Sequence, residues 1–208
     1  MSAIPSAATR ANLPSPATIQ QLHHYAYKAR DAEETRHFYE DILGLPLYHI
    51  IQSDYVPSTG EYCPYTHFFF RLNDGSFIAF FDIGDDEKPL PSPNTPPWVN
   101  HIAFRVDTVA DLEATKARLQ AHGIEVLGIT DHHIFKSIYF FDPNGIRLEL
   151  SAQLAGEALM ARESRTAHAR LAEWTERKQQ WRKERAAGKV TESLKPGTND
   201  RPEFVPGS

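Results

Sequence analysis

The chain has 208 residues, 41% of them hydrophobic, which suffices for one well-buried core or for two small half-domains sharing one. Its formal net charge of -5 gives no electrostatic footprint for nucleic acid or an anionic membrane, so small molecules are the expected ligands. A single cysteine, Cys63, excludes an internal disulfide framework. The N-terminus lacks a basic region followed by an apolar one, and no apolar run approaches the roughly 18 to 20 residues a bilayer requires, so a cytoplasmic location is expected.

In chain order, residues 1–19 are rich in Ser, Ala and Pro and read as a disordered arm. From Leu22 to Ala29 the residues alternate as in a strand, and Asp31 then stands as the N-cap of a helix carrying Phe38, Tyr39, Ile42 and Leu43, ended by Gly44. Extended segments follow at about 46–52, 66–72 and 76–83, the last two joined by the hairpin signal Asn73-Asp74-Gly75. Residues 20–85 thus read as a βαβββ module, and a proline-dense linker, 86–97, closes it.

The pattern then repeats. HYAYKARD from His24 is matched by HIAFRVDT from His101, with histidine, alanine, aromatic and basic positions in register. A helix over about 109–121, ended by Gly123, and strands at about 125–129, 137–141 and 146–152 complete a second module over 98–153. Asp142-Pro143-Asn144-Gly145 supplies its last turn. The fold class is therefore α+β, two βαβββ modules over 20–153. A charged segment, 154–187, predicts a C-terminal helix with Leu171, Trp174 and Trp181 as a sparse stripe, able to clamp onto the core or onto a second subunit. Residues 188–208 read as a disordered tail.

Strand alternation puts His24 with Ala26 and Lys28, and His101 with Ala103 and Arg105, on the faces turned away from the helices. It puts Arg147, Glu149 and Ser151 on the open side of the last strand and assigns the adjacent His23 to the helix side as a structural residue. A carboxylate flanked by Leu148 and Leu150 is costly to bury alone, and a metal ion would offset that cost. Two imidazoles and one carboxylate suit Fe(II), Mn(II) or Zn(II), so His24, His101 and Glu149 are the expected ligands of one shared site.

On these paired histidines, the DILGLPLY segment around Gly44 and the segment SIYFFDPNGIRLEL from Ser137, the chain resembles the vicinal oxygen chelate superfamily. That superfamily includes glyoxalase I, extradiol ring-cleavage dioxygenases and the bleomycin and fosfomycin resistance proteins. The resemblance implies two modules enclosing one metal-binding cup. Where glyoxalase-like enzymes carry a fourth ligand on the last strand of the first module, alignment of Gly75 with Gly145 places Ala79. An open triad implies Fe(II) and oxygen, hence an extradiol-type dioxygenase acting on a catechol-like aromatic. Tyr139 would bond the substrate oxygen, and His132 or His133, with His132 preferred, would transfer protons. Phe69, Phe77 and Phe81 are expected as aromatic walls, and His67 as a cavity-lining or a surface residue. The resemblance also implies a homodimer. A glyoxalase-like lyase or isomerase with a Lewis-acid metal, and a small-molecule binding or resistance protein, are the competing readings.

Overall fold

The computed structural model describes residues 17–188, so most of the expected arm and tail lies outside the described residues. The first module runs β1 (His24–Lys28), α1 (Ala32–Arg36, continuing as a π-helical stretch His37–Ile42), β2 (Leu47–Tyr55), β3 (Tyr62–Arg71) and β4 (Phe77–Asp82). The second runs β5 (Ile102–Val106), α2 (Val109–Ala121), β6 (Leu127–Asp131), β7 (Phe135–Phe141) and β8 (Arg147–Gln153), followed by α3 (Glu157–Ala186). Each module is one four-stranded sheet, ordered β1-β4-β3-β2 and β5-β8-β7-β6. In each the first strand lies parallel to the last, and the remaining pairs are antiparallel.

Local chemistry explains the helices. The Asp31 side chain accepts the Glu34 amide, which caps α1, while Thr108 and Asp111 form a reciprocal capping box on α2. The wide turn after Arg36, marked by the Leu43 amide bonded to the Phe38 carbonyl, differs from the regular helix the spacing predicts. It brings Phe38, Tyr39 and Ile42 together into the core. Gly44, at φ 77°, turns the chain out of this helix as a residue with a side chain would not. The strands β2, β3 and β7 extend beyond their predicted limits, because ladder pairing continues where apolar alternation has stopped.

The two modules share one core. Phe38, Tyr39, Phe70 and Phe80 of the first and Leu112, Leu119, Phe140 and Leu148 of the second belong to a single apolar cluster. Burying side chains of this size is worth roughly 1.5 to 3 kcal/mol each. The shared core lies on the helix sides of both sheets, so their open faces turn outward. Polar bonds pin the junction: Tyr39 Oη donates to Asp142 Oδ2 at 3.0 Å, Asn144 Nδ2 donates to Thr35 Oγ1 at 3.1 Å, and the Arg30 amide donates to Asn144 Oδ1 at 2.9 Å.

Asp142 makes this junction sensitive to pH. Complete burial pushes its carboxyl up to about 7, against the lowering effect of the Ile146 amide and the Tyr39 hydroxyl. The folded protein therefore holds a proton that the unfolded chain releases near pH 4. Stability is expected to fall as pH rises from about 4 to about 7 and to level off above, and Asp142→Asn should flatten that slope in urea melts. A parallel slope in the variant would remove Asp142 as its source.

Helix α3 matches its predicted span but has no buried residue, so it does not clamp onto the core. Trp174 and Trp181 meet edge to face on its surface, 5.5 Å between ring centres. Among the described residues no helix is long and apolar enough to cross a membrane.

Candidate metal centre

Glu149 is the best-organised polar group of the open faces. It is 3% exposed between Leu148 and Leu150, and its Oε1 accepts from Ser137 Oγ at 2.5 Å, Ser151 Oγ at 2.8 Å and Tyr139 Oη at 3.2 Å. The ladder produces this arrangement, since Tyr139 pairs directly with Glu149 and Ser137 with Ser151 across β7 and β8. Its other oxygen, Oε2, faces His101 Nε2 at 2.9 Å. The Val99 carbonyl, 2.9 Å from His101 Nδ1, can only accept, so Nδ1 carries a hydrogen and Nε2 is the atom turned to the carboxylate.

One imidazole nitrogen and one buried carboxylate oxygen thus converge on one point, with the carboxylate's far oxygen held by three hydroxyls. That donor set fits a divalent cation, and the orienting bonds are those that metal-binding His and Glu require.

The third expected ligand is not brought to it. His24 stands on the open face of the first sheet, its Nδ1 at 2.8 Å from His23 Nδ1, and among the described residues no group of three His, Cys, Asp or Glu is assembled within one chain. The outward-facing sheets are the cause, since His24 and Glu149 open on different sides of the shared core. His23 is exposed and bonded to His24 rather than packed on the helix side, which corrects the structural role assigned to it.

The registers of the two sheets confirm the alignment of modules. Ala26 pairs with Ala79 where Ala103 pairs with Glu149, so an alanine occupies the place of the acid in the first sheet.

Of His132 and His133, the structure brings His132 to Tyr139. His132 Nε2 lies 2.8 Å from Tyr139 Oη, whereas His133 is a turn residue at φ 67° whose amide donates to Asp131. His132, Tyr139 and Glu149 therefore form one hydrogen-bonded chain, with His101 Nε2 against Glu149 Oε2. Burial, reinforced by the Glu149 charge, holds the Tyr139 phenol above its ordinary pKa and keeps it a donor.

On the first sheet, sequence reasoning left His67 undecided. It is 9% exposed, stacked on Phe81 at 3.7 Å between ring centres, and 5.9 Å from His24; its Nε2 is buried without a hydrogen-bond partner. Burial, with His24 and His49 facing it, pushes the imidazole down to about 4, so it is neutral. Phe69 packs on both His24 and His67, so two of the three expected aromatic walls surround these histidines. The only advance signal for His67 was its alternation with Phe69 on one strand face.

Comparison with known proteins agrees with this architecture. The model of the Glyoxalase/Bleomycin resistance protein/Dioxygenase superfamily matches residues 21–150. The YaeR protein of Escherichia coli strain K12 is 30% identical over 140 residues, 65% of this chain and 98% of that protein. The metallothiol transferase FosB of Staphylococcus saprophyticus is 27% identical over 160 residues, 76% of this chain and 93% of its own. Among solved structures, a mutant of the fosfomycin resistance protein FosX of Listeria monocytogenes, complexed with Mn(II), superposes with a TM-score of 0.50. That match has 22% identity and covers 68% of this chain and 99% of FosX. With the match running from just before β1 into β8, and so taking in most of both βαβββ modules, the chain belongs to the Glyoxalase/Bleomycin resistance protein/Dioxygenase superfamily.

Proposed function

We propose that the protein is a metal-dependent ring-cleaving dioxygenase of the extradiol type, acting on a catechol-like aromatic, with Fe(II) as the metal. We further propose that each metal site is completed between two copies of the chain. His101 and Glu149 of one copy would hold the ion together with His24 of the other. The separation of His24 from the His101 and Glu149 pair within one chain supports the second statement. The observation that carries the first is the His132, Tyr139, Glu149 hydrogen-bonded chain, with an alanine at position 79 where the first sheet would offer a fourth ligand.

When bound, Fe(II) would supply Lewis-acid activation of the catechol and electron transfer to O2; the ring bond between a hydroxyl-bearing carbon and its unsubstituted neighbour breaks, and each of those carbons gains one oxygen atom. The chain's own residues supply the proton handling. On substrate binding Tyr139 Oη would turn its single hydrogen from Glu149 to the adjacent substrate oxygen, while His132 Nε2, donating to Oη, holds the phenol in place. His67 Nε2, neutral and without a protein partner, would accept a hydrogen bond from a substrate hydroxyl on the opposite wall. Phe69 and Phe81, both packed on His67, would form the apolar wall on which the ring approaches.

A second reading is a metal-assisted transferase or lyase that uses no oxygen, and the match to FosB along most of its length favours it. The two are separated by anaerobic reconstitution with Fe(II), followed by oxygen-electrode assays on a catechol panel. Stoichiometric oxygen uptake with ring opening is expected; turnover without uptake rules out the dioxygenase. Glu149→Ala is expected to lose its metal by elemental analysis, and full occupancy in that variant would sink the ligand assignment.

A further inference from the structure

Beside Tyr139 lies a cavity of about 260 Å³ walled by Pro97, Trp98, Leu127, Tyr139 and Phe141. Its lining is aromatic and aliphatic apart from two charged residues, Arg147 and the exposed Glu125. Arg147 occupies the open face of β8, two residues before Glu149, and is half-buried. Its Nη1 donates to the Trp98 carbonyl at 2.6 Å, and its guanidinium carbon lies 4.2 Å from the centre of the Tyr139 ring.

The guanidinium is thus held in place by a carbonyl and a ring face, neither of which neutralises it. Among the described residues no carboxylate forms an ion pair with Arg147, Glu125 and Glu149 included, whereas Arg30 and Arg170 each have one and Arg36 has three. A guanidinium presents five donors in a planar fork, and the Trp98 carbonyl engages one nitrogen. A half-buried cation without a contacting counter-ion is costly, and a planar fork beside an aromatic-lined cavity matches the geometry of a carboxylate.

We propose that Arg147 is a specificity-determining residue that receives a carboxylate substituent of the substrate, which makes the substrate class carboxyl-bearing aromatics. This deepens the dioxygenase reading and rests on it for the reaction, though not for the binding. The aromatic ring lies against Tyr139 and Trp98, and the carboxylate takes the free face of the fork. Glu149, beyond Tyr139, remains committed to His101 and the serines.

The test is equilibrium binding of two non-reacting probes, benzoate and benzamide, to the full-length protein by calorimetry. Benzoate is expected to bind about tenfold or more tightly than benzamide, the margin of a charge-assisted pair. In Arg147→Gln that ratio should collapse to about one, and Arg147→Lys should restore part of it. If Arg147 serves only to prop Tyr139, both probes weaken together and the ratio persists, which overturns the proposal. Absence of benzoate binding to the unmodified protein overturns it as well. Charge discrimination without oxygen uptake leaves this inference standing and removes the dioxygenase. Oxygen uptake that is equally efficient with plain and carboxyl-substituted catechol, together with equal probe affinities, does the reverse.

Discussion

Mixing a His24→Ala variant with a Glu149→Ala variant is expected to restore about a quarter of the metal sites, although each variant alone binds no ion tightly. The number follows from two-fold symmetry. After subunit exchange, half of the dimers contain one copy of each variant, and in these one of the two sites pairs an intact His24 with an intact His101 and Glu149. The other site in the same dimer lacks both. A site closed within one chain would give no recovery on mixing, because no chain then holds all three ligands. Metal content after exchange, measured on dimers isolated by size, separates the two outcomes. Circular dichroism of Glu149→Ala is the needed control, since that change leaves the Ser137 and Ser151 hydroxyls without their acceptor. Recovery on mixing would mean that the site expected from the repeat is shared between chains, in keeping with modules of one chain that touch through their helix sides.

That distinction was not legible in the sequence for a physical reason. Alternation along a strand fixes which residues share a face of one sheet, and it correctly grouped His101 with Ala103 and Glu149 with Ser151. It says nothing about how two sheets are turned relative to each other. The packing of Phe38 against Phe140 and the bond from Tyr39 to Asp142 decide that, and both depend on residues about 100 positions apart. The repeat itself was readable because His24 begins β1 and His101 stands just before β5, and Ala79 and Glu149 hold equivalent registers in the last strands. The π-helical turn was not, because the predicted helix residues are compatible with either hydrogen-bonding pattern. Likewise the ten-residue interval from Tyr139 to Glu149 suggested a pairing, but selecting His132 over His133 needed the turn geometry at His133. The uncovered cation at Arg147 was invisible for the same reason: an arginine alternating with an acid on a strand reads as a surface pair until the partners are located.

His67→Leu is expected to make the protein more stable and nearly inactive, and this opposition of signs is what identifies a functional residue rather than a packing one. A buried nitrogen left without a hydrogen-bond partner costs roughly 1 to 3 kcal/mol, and leucine removes that cost while keeping most of the volume stacked on Phe81. The melting temperature should therefore hold or rise. Turnover should instead fall by about two orders of magnitude, the cost of losing the acceptor that orients the substrate hydroxyl. Metal content should stay at the wild-type level, because His67 lies beside His24 without bonding to it. Tyr139→Phe tests the opposite wall: it removes a donor to Glu149 and the partner of His132, so it should lower turnover without the gain in stability. Oxygen uptake by His67→Leu within a factor of about three of wild type would return His67 to the aromatic packing of the first sheet and leave orientation of the substrate to the His132 and Tyr139 pair.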